Sequence, residues 1–132
     1  MYLLDTNICI YAIKGQYPIL TETLRSMNTE DISISTITIG ELEYGAAKSK
    51  WGQRTRHICQ AFLANFSVVP FADSDARVWG EIRAELATMG TPIGAYDAMI
   101  AAQCLARNLT VVTHNTREFS RVRNLPIEDW TQ

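Results

Sequence analysis

Short apolar segments alternate with amphipathic helical segments along the whole chain of 132 residues. The apolar segments predict strands at 2–4, 31–35, 66–70 and 109–113, with a short edge strand within 126–130. Helices are predicted at 6–14, 16–27, 36–48, 51–65, 73–89 and 95–107. This alternation is typical of a parallel sheet that carries helices on both faces. We therefore predict an α/β protein, a three-layer α/β/α sandwich around a central parallel sheet of four to five strands, with residues 1–132 forming one domain.

The first predicted strand ends at a carboxylate. Leu3 and Leu4 precede Asp5, and two polar residues, Thr6 and Asn7, follow it before the apolar pattern resumes. We expect Asp5 at the carboxyl end of a buried strand, with Thr6 or Asn7 capping the next helix. In open α/β sheets, ligands bind in the crevice beyond the carboxyl ends of the strands. The sequence therefore predicts that Asp5 lies at a ligand site.

Composition excludes several classes of protein. No segment approaches the ~20 consecutive apolar residues of a membrane span, and the N-terminus lacks signal-peptide features, so we expect a cytoplasmic protein without a membrane partner. The three cysteines (Cys9, Cys59 and Cys104) are widely spaced, which favours reduced core thiols over a disulfide framework or a zinc site. The net charge of −2, from 12 basic and 14 acidic side chains, argues against general nucleic-acid binding unless the acids are gathered in one pocket.

Two more acids occupy positions comparable to that of Asp5. Glu41 lies in the first turns of the helix after the second strand, and Asp97 lies at the start of the helix after the Gly/Pro-rich segment 90–94. Taken singly, each acid is better explained as a helix cap or a first-turn acid. No Lys or Arg adjoins any of the three in sequence, however, and clustered unpaired carboxylates suit a hard divalent cation such as Mg²⁺. Their joint placement at the ligand edge of the sheet favours a metal site.

Four motifs, in order along the chain, carry a resemblance to a known family. They are Leu-Leu-Asp-Thr-Asn at the start, Ile-Gly-Glu-Leu-Glu-Tyr-Gly, Tyr-Asp-Ala-Met-Ile-Ala-Ala and Val-Thr-His-Asn-Thr-Arg-Glu-Phe. Together they resemble the PIN-domain nucleases and, more closely, the VapC toxins of bacterial toxin–antitoxin pairs, over nearly the whole chain. The resemblance implies an acidic pocket that binds Mg²⁺ or Mn²⁺ and cuts RNA. Similar enterobacterial VapC toxins act on the anticodon loop of initiator tRNA, which the resemblance implies as the substrate here.

The resemblance also implies roles for the three acids. Asp5 and Asp97 match the metal ligands of the family, and Glu41 matches a third catalytic acid that orients a water or shares the ion. Such a metal would lower the pKa of a bound water and neutralise a phosphate oxygen during in-line attack on the phosphodiester.

Four further residues are implied as supporting members of the pocket. Thr6 and Thr113 match small hydroxyls beside it. The family often has a fourth acid two residues after Thr113, where this chain has Asn115. The amide oxygen of Asn115 can coordinate a metal without adding charge, and Glu118 is the acid that can replace the missing one. We expect a single well-bound Mg²⁺.

Basic residues near the motifs predict the path of the RNA. Arg117 and Arg121 directly follow the last pocket segment, and Lys48 and Lys50 belong to a second basic patch interleaved with Trp51. Solvated helix faces explain the second patch at least as well. The resemblance further implies a homodimer, a cognate VapB antitoxin that inserts a basic side chain among the acids, and a toxin–antitoxin assembly of larger size.

Other functions remain open at this point. A phosphotransferase of the haloacid dehalogenase type needs a second Asp where Asn7 stands, and a receiver-like domain needs a phosphoacceptor Asp and a Lys that the later strands do not supply. A PIN-fold binding module, or a nuclease of another structured nucleic acid with a weakened metal site, remains an alternative because of Asn115.

Overall fold

The central strand of the sheet is β1 (Tyr2–Leu4), as a computed structural model covering all 132 residues shows. Four more strands run parallel to it: β2 (Ile32–Ser35), β3 (Ser67–Val69), β4 (Thr110–Val112) and β5 (Ile127–Glu128). Their order across the sheet is β3-β2-β1-β4-β5. The predicted parallel sheet is confirmed with five strands, and the tail supplies the edge strand at β5.

Seven helices complete the fold. They are α1 (Thr6–Lys14), α2 (Pro18–Ser26), α3 (Thr36–Lys48), α4 (Gly52–Leu63), α5 (Asp73–Met89), α6 (Ala95–Arg107) and α7 (Thr116–Phe119). All six predicted helices are present, with ends that differ by at most two residues. The short helix α7 was not predicted, because four residues are too few to show a helical period. No helix has the length and apolar character that crossing a membrane requires.

The sheet separates two hydrophobic layers, and neighbouring residues of each central strand point into opposite layers. Leu3 and Val111 pack with buried residues of α5, α6 and α7. Leu4 and Val112 pack on the other side with buried residues of α1, α2 and α3. All four side chains are fully buried, and burial of such a side chain stabilises the fold by about 1.5–3 kcal/mol. The predicted α/β/α sandwich is therefore confirmed.

The strands pass directly into helices at two places in the sheet. Asp5 has extended backbone geometry and its Oδ1 accepts a hydrogen bond of 2.9 Å from the N–H of Ile8, so Asp5 itself caps α1. The prediction that Thr6 or Asn7 would be the cap is wrong, because Thr6 is already the first helical residue. Ser35 caps α3 in a similar way, since its Oγ accepts a hydrogen bond of 3.0 Å from the N–H of Ile37. The absence of any connecting loop holds the first turns of α1 and α3 against the carboxyl edge of the sheet.

Candidate active site

The crevice beyond β1 and β4 is the topological switch point of the sheet. Connections from β1 lead to β2 on one side, and β4 lies on the other. Leu4 pairs with Val112, and the N–H of Asp5 donates to the carbonyl of Val112 at 3.0 Å. Asp5 and Thr113 are therefore the first residues after two neighbouring strands, and they lie at the same level of the sheet. Ligands of doubly wound sheets bind at this position.

Asp5 is an almost completely buried carboxylate, with 2% of its surface exposed. Burial raises its pKa from 3.8 to about 6, while hydrogen bonds from the hydroxyl of Thr113 and the N–H of Ile8 oppose that rise. The like charges of Asp97 and Glu41 raise the pKa of Asp5 further. The carboxylates of Asp5 at the cap of α1, Glu41 on α3 and Asp97 on α6 are therefore near enough to repel one another.

Asp97 is the second carboxylate with a strongly raised pKa. It lies in the first turn of α6 and is half-buried. Burial raises its pKa to about 6, followed by the like charges of Glu118 and Glu41, whereas a hydrogen bond from Asn115 lowers it. Gly94 precedes the helix, and a Cβ atom at that position would lie 3.4 Å from Oδ2 of Asp97. The glycine thus leaves room for the carboxylate at the start of α6.

Glu41 is held by a chain of two threonine hydroxyls. Thr6 Oγ1 donates to Glu41 Oε1 at 2.6 Å, and Thr38 Oγ1 lies 3.0 Å from Thr6 Oγ1. Because the single hydroxyl proton of Thr6 is used on Glu41, Thr38 donates to Thr6. Sequence reasoning missed Thr38, although its hydroxyl, three residues before Glu41 on the same helix, was the available signal.

Asn115 links the segment after β4 to two of the carboxylates. Its Nδ2 donates to Glu118 Oε2 at 2.5 Å, and the Asn115 side chain lowers the pKa of Asp97. Its backbone N–H donates to Thr113 Oγ1 at 2.9 Å, which leaves the hydroxyl proton of Thr113 for Asp5. The position that lacks the expected fourth acid therefore supplies a neutral donor, and Glu118 brings a fourth carboxylate to the pocket.

We call the carboxylates of Asp5, Glu41, Asp97 and Glu118 the acid pocket. No basic side chain forms an ion pair with any of them. No three His, Cys, Asp or Glu side chains are gathered tightly enough to enclose an ion on their own. Mg²⁺, however, takes only one or two protein carboxylates and completes its shell with water and phosphate oxygens. An all-oxygen set of carboxylates without basic partners fits such a cation, with the buried Asp5 and the half-buried Asp97 as its protein ligands.

The predicted RNA-contacting residues fall on two surfaces. Lys48 and Lys50 lie at the end of α3 and just after it, where the ammonium of Lys48 is 4.9 Å from the ring centre of Tyr44 and that of Lys50 is 5.3 Å from Trp51. Both tyrosine and tryptophan are exposed. This surface therefore combines cations with aromatic rings in water.

Arg117 and Arg121 differ from each other in what they contact. Arg117 is exposed and forms no ion pair. Arg121 donates to the carbonyl of Pro92 at 2.8 Å, which fastens the loop before α6 to the segment after α7. Arg121 thus has a structural contact with the loop before α6, whereas Arg117 has no such contact and is free to meet a phosphate.

Comparisons with known proteins agree with this geometry. The family profile of the PIN domain matches residues 2–125. The chain is 43% identical over 129 residues to the tRNA(fMet)-specific endonuclease VapC of Salmonella typhimurium, covering 98% of this chain and 97% of that protein. This chain is a PIN-domain protein of the VapC family. The resemblance seen in its four motifs is confirmed.

Other VapC proteins share both the length and the fold. Ribonuclease VapC2 of Rickettsia felis is 40% identical over 133 residues, covering 98% of each chain. The crystal structure of DNA-bound VapBC from Salmonella typhimurium superposes with a TM-score of 0.93 at 43% identity, covering 98% of this chain and 97% of that one. The VapC fold therefore extends over nearly all of the chain.

Proposed function

We propose that this chain is the toxin of a type II toxin–antitoxin pair, an endoribonuclease that uses Mg²⁺, or Mn²⁺ in its place, to cut initiator tRNA in the anticodon loop. The observation that carries the proposal is the acid pocket, in which two carboxylates have pKa values raised to about 6 and none has a basic partner. The relatives named as VapC ribonucleases, one of them specific for tRNA(fMet), support the same activity. We propose that residues 1–132 act as one PIN domain in the cytoplasm.

Three residues of the acid pocket, Asp5, Glu41 and Asp97, have a part in this chemistry. A bound divalent cation lowers the pKa of water and neutralises charge on a phosphate oxygen. Asp5 and Asp97 would hold such a cation, and Thr113 would orient Asp5 through its hydroxyl. Thr6 holds Oε1 of Glu41, so that Oε2 is left to orient the attacking water and accept its proton.

The proposed partners follow from the same pocket. We propose a cognate VapB antitoxin that inserts a basic side chain among the acids, competes with the metal and so inhibits cleavage. The Salmonella typhimurium relative was crystallised as a VapBC complex, which supports this partner. A homodimer within a larger toxin–antitoxin assembly completes the proposal. Arg117, Lys48, Lys50 and Arg121 remain the predicted contacts to RNA.

Incubation of the protein with total tRNA and Mg²⁺, with and without EDTA, tests the activity. Asp97→Asn is the matched variant, because the amide keeps the size of the side chain and removes the charge that the cation needs. We expect cleavage by the wild type only, and only without EDTA. Cleavage that persists in EDTA, or in a well-folded Asp97→Asn protein, would show that the acid pocket is not the catalytic site. Binding of tRNA without cleavage by the wild type would select the binding-module alternative.

A further inference from the structure

A groove runs from the acid pocket along one face of α3 to the start of α6. It encloses about 510 Å³. Its lining residues are Thr36, Ile37, Gly40, Glu41, Tyr44 and Tyr96. Because Glu41 belongs to both the groove and the acid pocket, a ligand in the groove would be continuous with one in the pocket. We call this surface the tyrosine groove.

Two aromatic rings in the tyrosine groove have no aromatic partner within the molecule. Tyr44 is 67% exposed and Tyr96 is 56% exposed. Neither ring stacks on another aromatic ring. Tyr96 directly precedes Asp97, and Tyr44 lies nearly one helical turn after Glu41, so both rings flank the acid pocket. Large flat apolar surfaces left in water beside a site mark a binding surface.

The polar groups around the groove indicate what it binds. Lys48 is the last residue of α3, about one turn beyond Tyr44, and its ammonium lies 4.9 Å from the centre of the Tyr44 ring. Thr36 Oγ1 accepts a hydrogen bond from the N–H of Phe71, which leaves its own proton to be donated. The groove therefore offers ring faces, one hydroxyl donor and one carboxylate acceptor, with a cation beyond them. An unpaired nucleobase with its 5′ or 3′ phosphate has the complementary arrangement.

We propose that the tyrosine groove is a nucleobase subsite, in which the base next to the cleaved phosphate stacks on Tyr44 and Tyr96 while Lys48 meets the following phosphate. The inference rests on the proposed ribonuclease function and extends it. It explains how a protein of net charge −2 holds RNA beside four carboxylates, because stacking is insensitive to charge. It also requires a single-stranded substrate, since a paired base has no free face.

Two substitutions remove the subsite in different ways. Tyr44→Leu removes the ring and keeps apolar bulk, with Tyr44→Phe as the conservative control. Gly40→Leu fills the groove, because no atom lies within 4 Å of a Cβ atom built on Gly40. Gly80→Leu is its matched control, since Gly80 is also exposed and helical with nothing within 4 Å, but lies on α5 outside the groove.

Binding is measured by fluorescence anisotropy with an RNA stem-loop, in the Asp97→Asn background so that no RNA is cut. We expect Tyr44→Leu and Gly40→Leu to raise Kd on the order of 5- to 100-fold, the range of a lost base–aromatic stack. Tyr44→Phe and Gly80→Leu should leave Kd unchanged. An abasic nucleotide at one loop position should weaken binding by a similar factor, and Tyr44→Leu should then cause no further loss. The proposal is overturned if Tyr44→Leu weakens binding by its full factor whichever loop nucleotide is abasic, or if Tyr44→Leu leaves Kd unchanged.

Two parallel measurements separate this inference from its alternatives. Light scattering reports the oligomeric state, and a smaller mass for Tyr44→Leu would show that the groove is a contact between copies and would overturn the proposal. Cleavage by the wild type with Mg²⁺ tests the ribonuclease function on its own. If the wild type cleaves RNA but the effects of Tyr44→Leu and the abasic nucleotide are independent, the ribonuclease function stands and the subsite is refuted. If the two effects depend on each other but the wild type cleaves nothing, the subsite stands and the ribonuclease function is refuted. A wild type that binds no RNA contradicts both.

Discussion

Replacement of Asp5 by Asn should stabilise the metal-free protein while it abolishes cleavage. The pKa of Asp5 is about 6 in the folded protein instead of 3.8, because burial and neighbouring carboxylates disfavour the charged form. Ionisation at pH 7 therefore costs the folded state about 3 kcal/mol relative to the unfolded chain. Water that enters around the ionised group reduces this cost, so we expect Asp5→Asn to raise the free energy of unfolding by about 1–3 kcal/mol. Asn keeps the oxygen that caps α1, and Asn and Asp are comparable caps.

The sign of the pH dependence follows from the same pKa. Between pH 3.8 and about 6, the folded protein binds more protons at Asp5 than the unfolded chain does, so the stability of the wild type falls as pH rises through this window. The advantage of Asp5→Asn should therefore be absent near pH 3.8 and complete above pH 6. Mg²⁺ should stabilise the wild type and leave Asp5→Asn unchanged, because only a protein that binds the ion gains from mass action.

Urea unfolding followed by circular dichroism, at several pH values with EDTA, measures these differences. Glu22→Gln is the control, since Glu22 is exposed on α2 and surface substitutions usually change stability by less than about 0.5 kcal/mol. A loss of stability at pH 7 in Asp5→Asn, or a gain that is the same at pH 4 and pH 7, would refute the reasoning. Such a result would mean that capping and the Thr113 hydrogen bond outweigh the cost of burying the charge.

Two further predictions concern the ion pair between α5 and α6 and the residue Asn115 beside the acid pocket. Asp75 is fully buried and its Oδ2 lies 2.9 Å from Nη2 of Arg107, so Arg107→Met should destabilise the fold by about 3 kcal/mol, because it leaves a buried charge unpaired. Arg77→Met, which breaks an exposed pair, is the control, and equal urea midpoints for the two variants would contradict this expectation. Asn115→Asp removes the donor to Glu118 and adds a carboxylate, so it should lower the melting temperature in EDTA and increase the rise that Mg²⁺ causes. A smaller rise with Mg²⁺ than in the wild type would exclude Asp at this position as a metal ligand.

The local pattern predicted the elements more accurately than their ends and caps. The period of apolar residues places α3 and α6, and Asn108 ends α6 in left-handed geometry as its residue type predicts. The cap of α1 was misassigned because Asp5, Thr6 and Asn7 are all good caps, and only the point at which the strand pairing ends decides between them. Helix α7 is too short to show a helical period, and the role of Arg121 at Pro92 depends on a contact between segments 29 residues apart, which no local pattern contains.

Sequence alone predicts the alternation of strands and helices, the place of Asp5 directly after β1, and Glu41 and Asp97 as acids near the starts of helices. Hydrophobic periodicity and residue type are local properties, so they can be read along the chain. The fold, by contrast, determines how deeply each of these carboxylates is buried and which of them repel one another, and so raises the pKa values of Asp5 and Asp97. Strand order, register and desolvation arise from packing between segments far apart in the chain. The physical reason is that a pKa responds to every group that excludes water or carries charge nearby, whatever its place in the sequence.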